Sequence, residues 1–509
     1  MTLAPAHSGK TPGRPDAPPA TTEPQTTTEP EASTDPEAST DPRDPVVRLR
    51  ALFDPDTFSH LAGCHDSGVL TARGRIDGTP VVAFATNPSR MGGAMGAEGC
   101  GHIVDAITTA VADGVPVIGL WHSGGARLPD GVEALDAVGQ VFAAMTAASG
   151  RVPQLSVVLG PAAGGAAYGP ALTDIVVMSD SGRIFVTGPE VVRSVTGEQV
   201  DMEELGGPAT HARKSGVAHV VTKDDKSAIE TARRLAALLG SPGRIDPERV
   251  SHGVDLGRLL PEQSNRAYDV RPLIKGLLDG AGDDRSDGKS GDRGVELHGK
   301  WAPNIVTTLG RFAGRTIGVI ANNPLRMGGC LDSCSAEKAA RFVRMCDSFG
   351  VPLVVLVDVP GYLPGIGQEW EGVVRRGAKL LHAFAEAVVP RRTLVTRKAY
   401  GGAYIAMNSR ALGATAVFAW PAAEIAVMGP AAAVGILHRR RLATAPPEAR
   451  DALREQLVEE QRRTAGGVQR ALELGVVDDI VPPDETHQRL AETLATEPTE
   501  AGGHGNIPL

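Results

Sequence analysis

The pattern of apolar and polar positions changes several times along the chain. Residues 1 to about 45 carry few large apolar side chains; Pro, Thr, Glu, Ala and Ser dominate, and Glu-Ala-Ser-Thr-Asp-Pro occurs in tandem at 31–36 and 37–42. Such a segment buries too little apolar surface to offset its ordering entropy, so 1–45 is expected to be a disordered tail. Folded sequence is expected from Val46, where Val47, Leu49, Leu52 and Phe53 mark an amphipathic start. Alternating runs at Gly68 to Ile76 and Pro80 to Ala85 predict a hairpin. Strands and helices then alternate. A helix His102 to Ala112 ends at Gly114. A buried strand Val115 to Leu120 is closed by a loop His122-Ser123-Gly124-Gly125. A helix Val132 to Ala148, a strand Leu155 to Leu159 and an apolar run Thr173 to Met178 follow. This β-α-β-α order predicts an α/β fold with a mainly parallel sheet and crossover helices.

The strand Leu155 to Leu159 runs into Gly160-Pro161-Ala162-Ala163-Gly164-Gly165-Ala166-Ala167-Tyr168-Gly169. Adjacent glycines at a strand-to-helix junction leave backbone N–H groups uncovered by side chains. Free donors at a helix start hold an anion, or a carbonyl oxygen that becomes negative during a reaction. The plainer alternative is that Gly-Gly only lets a helix pack closely on a sheet.

That stretch occurs twice. Asn87-Pro88-Ser89-Arg90-Met91-Gly92-Gly93 recurs as Asn323-Pro324-Leu325-Arg326-Met327-Gly328-Gly329, and Gly114-Val115-Pro116-Val117 as Gly350-Val351-Pro352-Leu353, both 236 residues on. Ala163-Gly164-Gly165-Ala166 recurs as Tyr400-Gly401-Gly402-Ala403, and Val186-Thr187-Gly188-Pro189 as Val427-Met428-Gly429-Pro430. Gly216-Val217-Ala218-His219 matches Gly475-Val476-Val477-Asp478 after a helical insertion around 446–473. Five matches in one order indicate duplication of a whole domain. The division expected is 46–278, a Gly/Asp/Ser/Lys/Arg-rich linker or loop at 279–294, 295–500, and a tail 501–509.

Composition narrows the chemistry. At 509 residues, two or more domains are expected. A net charge of −9 gives no electrostatic case for nucleic-acid binding. Cys64, Cys100, Cys330, Cys334 and Cys346 form no CxxC pair, so buried thiols are expected rather than metal ligands, in a reducing cytoplasmic setting. The N-terminus shows no signal-peptide pattern. Residues 155–172 are uncharged but contain glycines and prolines, and Asp174 follows, so a buried strand-turn-helix is expected rather than a membrane span.

Familiar sites are missing. There is no GxxxxGK[ST], and Gly99-Cys100-Gly101 lacks the third glycine of a dinucleotide fingerprint. Ser123 ends a strand, but Trp121 stands where a nucleophile elbow needs glycine. His122 beside it is expected to be a satisfied loop histidine. Neither Ala166 to Pro170 nor Ala403 to Asn408 holds an Asp, Glu, His, Lys or Cys. Two donor pockets without an adjacent base suggest two substrates, one of which brings its own base; a distant segment remains the other source.

Longer blocks make a resemblance specific. They are Ser123-Gly124-Gly125-Ala126-Arg127, Gly160 to Tyr168, Thr187-Gly188-Pro189-Glu190 and Val195-Thr196-Gly197-Glu198, then Asp358-Val359-Pro360-Gly361-Tyr362-Leu363-Pro364-Gly365, Arg397 to Tyr404, Ala423 to Gly429, and the ending Asn506-Ile507-Pro508-Leu509. Over everything after the tail, the chain resembles the carboxyltransferase β subunits of biotin-dependent acyl-CoA carboxylases, most closely the actinobacterial acetyl-/propionyl-CoA type. The resemblance implies two tandem crotonase-like domains (the ClpP/crotonase β-β-α superhelix). It implies carboxybiotin borne by a biotin carboxylase/biotin carboxyl carrier α subunit, an acyl-CoA substrate, a homohexamer, and no metal. It implies that the N–H groups of Gly402 and Ala403, beside Gly401, hold biotin's ureido oxygen while biotin's nitrogen takes the α-proton. Gly164 and Gly165 would then hold the thioester enolate, with Ala166, Tyr168, Tyr404, Ile405 and Arg127 binding substrate. Propionyl-selective relatives tend to have Asp at the Ile405 position, so isoleucine there favours acetyl or broad short-acyl acceptance. Arg90, Arg127, Arg326, Arg397 and Lys398 are candidates for the CoA phosphates. A biotin-dependent decarboxylase and a non-catalytic scaffold of a carboxylase complex are the alternatives.

Overall fold

The computed structural model describes residues 39–64, 66–250, 255–263, 266–280 and 294–508. Most of the expected tail and linker, 1–38 and 281–293, lies outside the described residues. The first described helix is Pro45–Leu52, with the Asp44 carboxylate accepting from Val46 N–H at its start.

Two eight-stranded mixed sheets follow, built to one plan. The first contains β1 (Ser59–Cys64), β2 (Val69–Ile76), β3 (Thr79–Thr86), β4 (Val117–Ser123), β5 (Gln154–Ala163), β6 (Ile175–Met178), β7 (Arg183–Phe185) and β8 (Val220–Val221). Its order is β1-β2-β3-β4-β5-β6-β8, with β7 pairing β5. The second contains β9 (Val295–Leu297), β10 (Ile305–Phe312), β11 (Arg315–Asn322), β12 (Leu353–Val359), β13 (Arg391–Tyr400), β14 (Ala416–Ala419), β15 (Glu424–Ala426) and β16 (Asp479–Ile480). Its order is β16-β14-β13-β12-β11-β10-β9, with β15 pairing β13. β2 and β3 form the expected antiparallel hairpin, and β3 onward is parallel. Even the irregularities repeat. Register slips between Trp121 and Ser123 against β5, and between Val357 and Val359 against β13.

Strand and helix ends differ slightly from the sequence reading. The helix expected from His102 begins at Ala97 and runs to Asp113, where Gly114 closes it in the left-handed conformation. β4 continues through Ser123, so His122 and Ser123 stand on a strand rather than in a loop. The insertion after 446 forms the helices Pro447–Ala465 and Val468–Glu473.

Parallel strands covered on both faces read as continuous apolar runs, and β12 is buried at every position. One core joins the inner faces of both sheets, with Leu120, Val157 and Val177 in one cluster with Ile320, Val355 and Val395. Leu256, Tyr268, Ile274 and Leu278 pack instead with Val306, Phe312 and Phe418 of the second sheet's other face. By packing, Val250, Leu256, Tyr268, Ile274 and Leu278 therefore lie with the second sheet, although the sequence divides after 278. The helix Ser333–Ser348 carries Ser, Glu, Lys, Arg and Asp yet is buried on nearly every side. The tail 501–508 ties into both halves: Gly502 N–H donates to Asp347 O at 2.8 Å, and Asn506 Nδ2 to Asp174 Oδ1 at 2.8 Å.

Candidate functional site

β5 stops at Ala163 because Gly164 adopts φ 56°, ψ −125°, from which the helix Gly165–Leu172 leaves the sheet. Glycine is needed there for its backbone and not for space, since the nearest atom to an added Cβ would be Val186 O at 4.0 Å. Gly164's own N–H is engaged; it donates to Phe185 O on β7 at 3.1 Å. The next two N–H groups, of Gly165 and Ala166, find no acceptor among the described residues. The donor pair expected at Gly164 and Gly165 thus moves one residue on, to Gly165 and Ala166. The cause is β7, a three-residue strand too short to read from periodicity, which occupies Gly164 from the side.

The second turn repeats the first. β13 ends at Tyr400, Gly401 has φ 60°, and the helix Gly401–Ala406 follows. A Cβ on Gly401 would lie 3.0 Å from Val427 O, whereas a Cβ on Gly402 would meet nothing within 4 Å. Gly402 is exposed, Ala403 is fully buried, and their N–H groups donate to nothing among the described residues. Nothing inside the chain requires glycine at Gly402. The space a side chain would fill at Gly402 is open.

The two turns differ in their surroundings. In the first, Gly169 packs against the Trp121 ring, Tyr168 is half exposed, and its ring meets Phe142 edge-on at 6.1 Å. In the second, Tyr400 replaces Ala163, and its hydroxyl donates to Glu424 on β15. Beside it lies a cavity of about 310 Å³ lined by Tyr400, Glu424, Val427, Met428, Arg462 and Val468. Tyr404 is buried with no partner for its hydroxyl among the described residues, and burial pushes its pKa up to about 12. Ile405 is 45% exposed.

Titratable groups near the turns point elsewhere. Ser123 is sealed, donating to Gly93 O at 2.6 Å and accepting from Gly125 N at 3.2 Å. Side chains alternate along a strand; Trp121 packs against the turn's helix, so His122 points to the other face, where its ring lies against Gly160. Burial, and then the Arg48 guanidinium, push its pKa down to about 4. Its Nδ1 has no partner among the described residues, so it is buried rather than satisfied. The repeat offset puts Asp358 at the equivalent position of β12, a correspondence the duplicated numbering already contained. Val357 and Val359 pack with Ala403, so Asp358 faces away, accepting from Lys398 N at 3.2 Å, with its pKa raised by burial.

The expected CoA-phosphate cations are mostly engaged. Arg127 lies 3.6 Å from Asp130 and donates to Ser67 O, Arg90 pairs with Asp66, and Arg397 donates to Pro261 O beside the Tyr268 ring. Arg326 is exposed, with no ion-pair partner among the described residues.

Two donor pairs on duplicated turns, with no acid or base on either helix, suit stabilisation of two oxygens that gain negative charge. The carboxyl transferase domain family matches residues 38–503. The chain is 60% identical over 468 residues to the biotin-dependent acetyl-/propionyl-coenzyme A carboxylase beta6 subunit of Mycobacterium bovis, covering 92% of this chain and 97% of that one. It is 59% identical, over the same shares, to the propionyl-CoA carboxylase beta chain of Rhodococcus erythropolis. Among solved structures it is similar to transcarboxylase 12S, a hexamer with methylmalonyl-coenzyme A bound, at 39% identity and a TM-score of 0.82, covering 92% of each chain.

Proposed function

The chain belongs to the carboxyl transferase family, and from that premise we propose that it moves the carboxyl group of carrier-borne carboxybiotin onto acetyl-CoA and propionyl-CoA. The products are malonyl-CoA and methylmalonyl-CoA. The observation that carries this reading is the pair of duplicated turns, each ending a central strand in two outward N–H groups. When bound, carboxybiotin supplies the carboxyl group and a basic ring nitrogen. Gly402 and Ala403 fit its ureido oxygen, because their donors are unpartnered among the described residues and no side chain crowds Gly402. Gly165 and Ala166 donate to the acyl-CoA thioester oxygen, with Gly164 holding the turn that aims them. One such donor is worth about 3 kcal/mol where charge develops.

Tyr168, Tyr404 and Ile405 border the substrate, Tyr404 from a buried position and Ile405 from an exposed one. In our reading a biotin carboxylase/carrier α subunit delivers the biotin, and the β chains assemble as a homohexamer, as 12S does. The setting is the cytoplasm, and no described helix is long and apolar enough to cross a membrane. We place the break between the two carboxyltransferase domains, in sequence, at 279–294, with Leu256, Tyr268, Ile274 and Leu278 packing against the second sheet.

The test is reconstitution. With the α subunit, ATP, bicarbonate and acetyl-CoA, malonyl-CoA should form. Failure to carboxylate acetyl-, propionyl- and butyryl-CoA would overturn the reading.

A further inference from the structure

Away from both turns, a cavity of about 340 Å³ opens between the two halves of the chain. Its wall carries four cationic side chains, Lys214, Lys338, Arg341 and Arg376, against one carboxylate, Glu337. That excess is notable in a chain of net charge −9. Glu337 is already held by Lys379 at 2.7 Å and Arg376 at 3.2 Å, which accounts for Arg376. The others have no such partner. The Lys338 ammonium is enclosed by the carbonyl oxygens of His298, Trp301, Ala302 and Ile305 at 2.7–3.3 Å, with no carboxylate among them. Arg341 is 8% exposed and spends one nitrogen, Nη2, on Thr173 O at 2.7 Å. Its Nε and Nη1 have no acceptor among the described residues. Lys214, at the rim, is exposed with no ion-pair partner among the described residues.

Three further groups in the wall titrate, the Cys334 thiol, whose pKa burial raises, and the tilted rings of His219 and His298, 4.0 Å apart. Burial and the neighbouring cations hold both rings uncharged near neutral pH. Asp174 is the acid whose charge acts on Arg341, but its carboxylate makes no hydrogen bond to the guanidinium and accepts instead from Gln154 N–H and Asn506 Nδ2. A buried guanidinium with donors left unpaired is costly, and its planar fork matches a phosphate oxygen pair.

We propose that this cavity binds a small multivalent oxyanion of phosphate chemistry, with Arg341 as its buried donor and Lys214 closing the rim. Residues from both halves form the wall, so an anion there fastens one half to the other. The ligand is either free phosphate or the phosphate of a small monoester, and the experiment separates these.

Full-length protein is melted with increasing inorganic phosphate, with glycerol 3-phosphate, and with chloride at matched ionic strength. A saturable rise in melting temperature with phosphate or the monoester, absent with chloride, is expected. Whichever arm saturates at lower concentration identifies the source. Arg341→Met should weaken the apparent affinity at least about tenfold. The exposed Lys214→Ala, which leaves the core untouched, should weaken it about threefold. A response equal to that of chloride, or an unchanged affinity in Lys214→Ala and in any Arg341→Met that folds, overturns the proposal.

Discussion

Replacing Gly402 by proline removes one hydrogen-bond donor and little else. Its N–H makes no bond among the described residues, so proline forfeits no helix bond there. It stands in the first turn of the helix Gly401–Ala406, where proline is tolerated, and a Cβ would meet no atom within 4 Å. Proline restricts the residue before it, here Gly401 at φ 60°, so folding of the variant is checked by its melt before turnover is read. One oxyanion donor is worth about 2.7–4 kcal/mol, so kcat for acyl-CoA carboxylation in the reconstituted complex should fall about 10²–10³-fold. Gly402→Ala keeps the N–H and adds only a methyl group in the ligand's space, so it should raise KM for the carrier more than it lowers kcat. A folded Gly402→Pro enzyme turning over within about threefold of the parent would refute the reasoning.

Four other outcomes are expected. Ser123→Ala should leave kcat within about threefold while lowering stability to urea by ~1–3 kcal/mol, because Ser123 satisfies buried backbone instead of attacking substrate. Asn506→Ala should lower urea stability by a similar ~1–3 kcal/mol, since it strips a donor from the fully buried Asp174. If the Ile405 position sets acyl preference, Ile405→Asp should shift the propionyl-to-acetyl ratio of kcat/KM by ~10-fold or more. Burial, and then Lys338, push the His298 pKa down to about 3 from an ordinary 6.5. Below pH 6.5 the unfolded chain therefore holds a proton the native one lacks, and stability falls as pH drops toward 3, by up to about 1.4 kcal/mol per pH unit from this group. Urea unfolding at several pH values should show a shallower slope in His298→Gln.

Much of the fold was legible because duplication supplied an internal control. A single Gly-Gly turn is ambiguous, but the second copy 236–237 residues later fixed which strands were equivalent, and both sheets follow that plan. What escaped the sequence depends on contacts between distant segments. β7 has three residues and no period, yet it takes the Gly164 N–H and moves the free donors to Gly165 and Ala166. The helix Ser333–Ser348 has the polar content of a surface helix, but the joining of two sheets buries it, and Lys338 is satisfied only by carbonyls from 33 to 40 residues away. The packing of 256–278 on the second sheet was hidden for the same reason, since apolar residues declare burial but not against which sheet.

The central claim is that the two turns serve two different substrates, and loss of CO2 from a carboxylated biotin carrier tests it most directly when acyl-CoA is left out. Gly402→Pro should slow that loss about 10²–10³-fold, whereas a folded Ala166→Pro, at a residue of the helix's first turn that already carries a Cβ, should leave it unchanged and impair only transfer to acyl-CoA. Equal slowing by both variants, or by neither, would contradict the assignment of one turn to each substrate.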